Sequence, residues 1–202
     1  MGQKPGCAGK RNRYAGICGR VVVMAAAICM LSGCAATELE KKSIPLLAAV
    51  RATENDYEIL YDPPTGNKTL DYNHIKVIVL ETSVIEQSAV YESLLTQLAR
   101  EETFPRNVYV CAANDVQEIL AAGDLMAEDT GSYIEMLLEN LAPDVGELPT
   151  IGKLMDALAN RGETLHLPYL KVEGESILWE GSFGIENAIP VYRILQTGEN
   201  SR

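Results

Sequence analysis

Histidine, cysteine and basic side chains are scarce in this sequence, and no hydrophobic run in it is long enough to cross a bilayer. Two histidines serve 202 residues. Neither His74 nor His166 has a second His, Cys or carboxylate at a metal-ligand spacing, so no metal site is expected. His74, closing Asp71-Tyr72-Asn73-His74, reads as a structural histidine hydrogen-bonded into a loop. His166, between Leu165 and Leu167, reads as the solvent side of a strand. No Gly-x-Ser-x-Gly elbow strains a serine into a nucleophilic position. Neither Gly-x-Gly-x-x-Gly nor Gly-x-x-x-x-Gly-Lys occurs, so no phosphate loop and no cofactor-binding residue is expected. The acidic pairs Glu38/Glu40, Glu101/Glu102, Glu128/Asp129 and Glu173/Glu175 read as solvated faces and turns. No catalytic residue emerges, and the expectation is a protein that is not an enzyme.

The apolar run from Val21 to Met30 falls well short of the roughly 20 residues of a transmembrane helix. What is present around it is ordered. Lys4, Lys10, Arg11, Arg13 and Arg20 precede it with no acidic residue, and Leu31-Ser32-Gly33-Cys34 closes it. A basic region, a short apolar region and a small-residue cleavage site make a secretion signal, and this one ends in a lipobox. Leu31, Ser32 and Gly33 form the recognition sequence, and the Cys34 thiol takes a diacylglycerol thioether and becomes the first mature residue. The expected product is a bacterial lipoprotein on the outer face of the cell membrane.

Removal of the first 33 residues leaves 169 of the 202, a length that suits one domain with a real core. Without the five leader cations, 12 basic residues face 28 acidic ones, a formal charge of −16. That sign argues against nucleic acid as a partner and against electrostatic adhesion to anionic headgroups. Cys7, Cys18 and Cys29 leave with the leader and Cys34 goes to lipid. Cys111 then stands alone, and no intramolecular disulfide is available. It lies within Val108-Tyr109-Val110-Cys111-Ala112-Ala113, where a buried, inert thiol is expected.

Residues 34–43 read as a lipid-anchored polar tether, 44–196 as a single domain and 197–202 as a flexible tail. Within the domain, Ile44 to Ala52 is apolar and predicts a buried strand, with Tyr57 to Tyr61 returning as a hairpin partner. Asp62-Pro63-Pro64-Thr65-Gly66-Asn67 breaks the pattern. Ile75 to Leu80 is a nearly continuous apolar run, which predicts an interior strand covered on both faces. A helix over 84–100 and a strand over 108–112 complete a βαβ unit with parallel strands. Asn114 or Asp115 caps a helix over 116–122. A second helix over 130–141 is broken by Pro143 and Gly146, and Thr150 caps a third over 151–160. Segments 164–172, 176–185 and 188–195 predict antiparallel strands joined by short turns. The expected class is α/β (α+β mixed): a mixed sheet with helices packed on it and antiparallel strands at the C-terminal end.

Several of these segments, in this order, resemble the Ger(x)C family, the C-subunit lipoproteins of spore germinant receptors. The lipobox cysteine, the charged tether Glu38 to Lys42 and the strand after it are similar to that family's opening. Leu70-Asp71-Tyr72-Asn73-His74-Ile75-Lys76-Val77-Ile78-Val79 resembles its segment in which a histidine leads into an apolar strand. Phe104-Pro105-Arg106-Asn107-Val108-Tyr109-Val110 looks like the loop and strand after it. Leu167-Pro168-Tyr169-Leu170 and Gly181-Ser182-Phe183-Gly184-Ile185 resemble its late strands. Ala49-Val50-Arg51 departs from the family's usual Gly-Ile-Asp. The Pro63-Pro64-Thr65-Gly66 turn replaces a longer insert, and the chain looks like a free-standing version of the family's N-terminal domain. The resemblance implies a non-enzymatic accessory lipoprotein at the membrane, the inner spore membrane if it acts in germination, with integral-membrane receptor subunits as partners. It implies no catalytic residues and no cofactor. The alternative reading is a lipoprotein that binds a small ligand and is unrelated to germination.

Overall fold

Apolar residues alternate around a sheet whose central strands have no solvent-facing side. A computed structural model describes residues 42–100, 104–145, 147–159, 164–186 and 189–195. The leader, the lipobox from Leu31 to Cys34, nearly all of the 34–43 tether and the 197–202 tail lie outside the described residues. The elements run β1 (Leu47–Ala52), β2 (Tyr57–Asp62), a 3-10 turn (Tyr72–His74), β3 (Val77–Glu81), α1 (Thr82–Glu86), α2 (Ser88–Arg100), β4 (Tyr109–Ala113), α3 (Val116–Gly123), α4 (Thr130–Val145), α5 (Ile151–Ala159), β5 (Thr164–Glu173), β6 (Ser176–Glu186) and β7 (Ile189–Leu195). These seven strands form one sheet in the order β2-β1-β3-β4-β5-β6-β7, and among the described residues Lys42–Ser43 and Thr69–Leu70 pair as a separate two-stranded sheet. The neighbours β1, β3, β4 and β5 are parallel, while β2, β6 and β7 are antiparallel to theirs. This is the mixed α/β class expected from the sequence.

Two apolar layers follow from the period-2 alternation of strand side chains. On one face Ala48, Val50, Ile78, Leu80, Val110 and Ala112 pack under Val84, Ile85, Tyr91, Leu94 and Leu95 of α1 and α2, with Ile151 and Leu154 of α5. On the other face Leu47, Ala49, Val77, Val79, Cys111 and Ala113 pack under Val116 and Ile119 of α3 and Ile134 and Leu138 of α4. Every one of these strand residues is at most 1% exposed. A strand buried on both sides must be apolar throughout, which is why the sequence shows runs here and not alternation. The β5–β6 ribbon changes phase: Tyr169 pairs with Gly181 and Leu170 with Trp179, leaving Glu180 as the extra residue of a bulge. After the shift Leu170 and Ile177 serve the second layer, while Leu167, Tyr169 and Phe183 serve the first.

Some expected boundaries differ. The helix expected over 84–100 is two helices, because Gln87 leaves helical geometry at φ −89, ψ 89. The helix expected to stop at 141 continues through Pro143 to Val145; a proline in a last turn forfeits one backbone hydrogen bond without blocking the turns before it. The strand expected from Ile44 starts at Leu47, since Pro45 has no N–H. The Leu46 carbonyl instead accepts from the N–H groups of Lys76 and Val77. Asp115 is the cap of α3, accepting from the N–H groups of Gln117 and Glu118. Thr150 Oγ1 accepts from the Lys153 N–H at 3.4 Å, as expected of a cap. Strands β5, β6 and β7 fall within a residue of their expected limits, and Gly174 takes φ +66 in the turn joining the first two.

Gly131, in the first turn of α4, lets that helix press against the chain leading into β1. A Cβ placed there would stand 2.6 Å from both the carbonyl carbon and the oxygen of Leu46, backbone that cannot rotate aside. Gly131→Ala is expected to lower stability by about 1–3 kcal/mol through overpacking, despite the roughly 1 kcal/mol by which alanine favours a helix over glycine. Urea unfolding of the two proteins checks this, and an unchanged midpoint would show that α4 is free to shift.

Candidate functional site

With β1, β3, β4 and β5 parallel, the connections sort into two rims. The carboxyl rim gathers residues 53–56, the start of α1, residues 114–115 and the turn at 174–175. The amino rim gathers residues 43–46, 62–76, 104–108 and 147–150, and it is here that the domain's chain enters and the irregular structure concentrates. Leu46 N–H donates to Asp62 and Asp71 N–H donates to Ser43. The Asp62–Pro63 peptide is cis, and Gly66 takes φ +52 in the turn beyond it, a conformation glycine adopts without a Cβ penalty. Asp71 caps the 3-10 turn by accepting from the Asn73 N–H, so local chemistry places Tyr72 and His74.

Tyr72 is the middle of an aromatic row. Its ring centroid lies 6.0 Å from that of Tyr61 and 5.1 Å from that of Phe104, at interplanar angles of 62° and 53°. Tilted pairs of this kind add about 0.5–1.5 kcal/mol beyond area burial. The row belongs to the layer under α1, α2 and α5 and ties residues 62–76 to the 104–108 loop. Beyond it, Arg106 Nη2 donates to Asp156 at 3.0 Å, and the Gly152 N–H donates to the Arg106 carbonyl.

On the opposite face the rim is held by polar contacts to α4. Thr130 Oγ1 donates to Asp62. Lys76 Nζ stands 2.7 Å from Glu135 Oε2 and donates to Ser132 Oγ at 3.0 Å. The Glu135 hydrogen bond raises the Lys76 pKa; burial opposes the rise, and the charges of Glu135, Asp129 and Glu139 add to it. None of these pairs is visible as a sequence motif, because the partners stand 56 or more positions apart.

The family model of the spore germination protein N-terminal domain matches residues 64–172, more than half of the chain. The chain belongs to this family. The match opens at Pro64 on the amino rim and closes at Val172 in β5, so this germination domain includes the aromatic residues Tyr72 and Phe104, the Lys76 cluster and helices α1 to α5. The resemblance to germinant-receptor C subunits read from the sequence is borne out. A comparison with curated proteins finds no match. Among solved structures, the crystal structure of the GerBC protein is similar, with 16% identity over 70% of this chain and 40% of that one and a TM-score of 0.45. This chain thus corresponds to less than half of that protein's length.

The residues singled out in sequence do not converge. Leu31, Ser32, Gly33 and Cys34 lie outside the described residues. His74 is exposed at the end of the 3-10 turn and His166 is exposed on β5. Among the described residues no three His, Cys, Asp or Glu side chains gather as metal ligands. Cys111 is fully buried under α3 and α4, and burial pushes its thiol pKa up.

Two outcomes are expected. In a chain starting at Ala35, where Cys111 is the sole cysteine, a thiol reagent near neutral pH should label the unfolded protein and leave the folded one untouched; fast labelling of the folded protein would contradict the burial. The raised pKa values also set the alkaline behaviour. Groups with a folded pKa above the unfolded one contribute stability that is present below the unfolded pKa and lost as pH rises through the folded one. For Cys111 the loss begins above about pH 8.5, and for Lys76 above about pH 10.4. Lys76→Met should cost under about 1 kcal/mol at neutral pH, since both partners remain about a third exposed. It should also flatten the uppermost part of the stability–pH curve measured by urea unfolding.

Proposed function

We propose that this germination domain is a lipid-anchored, non-enzymatic accessory of a spore germinant receptor, acting through protein contacts at the outer face of the membrane. The family match over residues 64–172 carries the reading, and the lipobox supports its location. In this reading residues 1–33 are removed, 34–43 form the tether, and the domain that follows over 44–196 is held by lipid on Cys34. Among the described residues no helix is long and apolar enough to cross a membrane, so attachment through Cys34 meets a need that those elements do not. One acyl chain binds reversibly, while the two chains of a diacylglyceryl cysteine anchor stably. The mature chain's charge of −16 gives an anionic bilayer nothing to attract, so the lipid would supply the whole of the adhesion. The partners fitting this location are integral-membrane subunits of the receptor.

Deleting the gene in a sporulating host is expected to slow or abolish nutrient-triggered germination, followed as the loss of optical density of a spore suspension. Cross-linking in spore membranes should recover the domain with a multi-span protein. Normal germination with no such partner would overturn the receptor reading. Cys34→Ala should release the domain from the membrane fraction or strand the uncleaved precursor; full anchoring after signal cleavage would overturn the lipid reading.

A further inference from the structure

We infer that the part of the amino rim beside α2 and α5 is the surface this domain lays toward the lipid headgroups, with the carboxyl rim held away from the bilayer. The inference rests on the Cys34 anchor proposed above. Its first support is covalent. Eight residues separate Cys34 from Ser43, nine Cα–Cα steps with a reach of about 30 Å at full extension. The strands β5 and β6, of 10 and 11 residues, make the domain itself roughly 35 Å deep along the sheet. A tether no longer than the domain, joined at the amino rim, keeps that rim nearer the bilayer than the opposite one in any upright arrangement.

The side chains agree with this orientation. Ile44, the first residue after Ser43, is a large apolar side chain left 36% exposed. On the same rim stand exposed Pro63, Pro64, Lys68, His74 and Arg106; Arg106 is paired with Asp156 and the exposed Glu147 with Lys153, so the charges of this strip nearly balance and Lys68 is left over. The one carboxylate among residues 63–76, Asp71, is turned inward to the Asn73 amide. Asp124, Glu128 and Asp129 also lie at this end, but on the far face of the sheet beside α4, where Asp129 caps the Ser132 N–H. The carboxyl rim is different. Glu54, Asp56, Glu86, Glu118, Glu173 and Glu175 are exposed there. Its described cations, Arg51 and Lys171, are already paired with Glu58 and Glu180. A headgroup layer carrying anionic lipid repels that end within about a Debye length of 8–10 Å and tolerates the other.

The chain offers a direct test, because lipid blocks Cys34 and burial shields Cys111, so an introduced cysteine is the only reactive thiol of the lipidated protein. Asn67→Cys on the amino rim and Asn55→Cys on the carboxyl rim are both at exposed positions. Each lipidated protein is labelled with a fluorophore and reconstituted into vesicles carrying a nitroxide on the lipid headgroup. Quenching of the Asn67→Cys label is expected to exceed that of the Asn55→Cys label severalfold. Equal or reversed quenching in protein that floats with the vesicles overturns the orientation and leaves the anchor standing. Failure of the lipidated protein to float overturns the anchor and the orientation together.

Discussion

The burial of β1, β3 and β4 on both faces is the constraint from which the rest of this domain follows. Residues such as Leu47, Ala48, Ala49, Val79 and Leu80 are wholly inaccessible, and each fully buried leucine or valine contributes about 1.5–3 kcal/mol relative to exposure. No disulfide is available to Cys111, so this two-sided core carries the stability of the described domain. Covering both faces requires helices on both sides. The single stretch between β4 and β5 provides three of them, sending α3 and α4 to one face and α5 to the other. The parallel order of the strands then leaves their ends as the places where loops can vary.

The two rims are built by different chemistry as a result. At the amino rim the chain turns repeatedly within a short distance. It is held by the Tyr61–Tyr72–Phe104 row, by Thr130 on Asp62 and by Lys76 between Ser132 and Glu135. All but the Tyr61–Tyr72 pair join segments far apart in sequence, so the rim is complete only when the sheet and α4 are in place. At the carboxyl rim the turns are short and the carboxylates point to water. A domain in the spore germination family with this division has a crowded, partly apolar end at which its chain enters, and a smooth acidic end opposite.

Much of this was legible in the residues. Continuous apolar runs at 75–80 and 108–113 marked strands covered on both sides, and the period of Leu94, Leu95 and Leu98 marked a helix on one of them. The hairpin turn at Gly174 was visible because φ > 0 in a two-residue turn calls for glycine. What the sequence concealed was long-range or geometric. The strand at Leu47–Ala52 pairs with both β2 and β3, and nothing local distinguishes that central place from an edge. The break at Gln87 has no proline or glycine to announce it, and Pro143 suggested a helix end where the helix had two residues left. Lys76, Ser132 and Glu135 looked like separate surface residues because only the packing of α4 across the start of β3 brings them together.

The charge balance sharpens what such a domain needs from a lipid anchor. A protein adhering through its own cations would have to spend a basic face on the membrane. Here the 12 basic residues from Cys34 onward are too few and too dispersed, with Arg51, Lys76 and Lys171 each already engaged by a carboxylate. Lipid on Cys34 would separate the two tasks, adhesion to the acyl chains and shape to the folded chain. The fold could then keep an acidic surface in solution without losing the bilayer. Under that division the sequence of the domain is free of any requirement to bind lipid strongly, and an exposed Ile44 on the same rim as Lys68 suffices to favour one end over the other. The tether's brevity, more than attraction, would do the orienting.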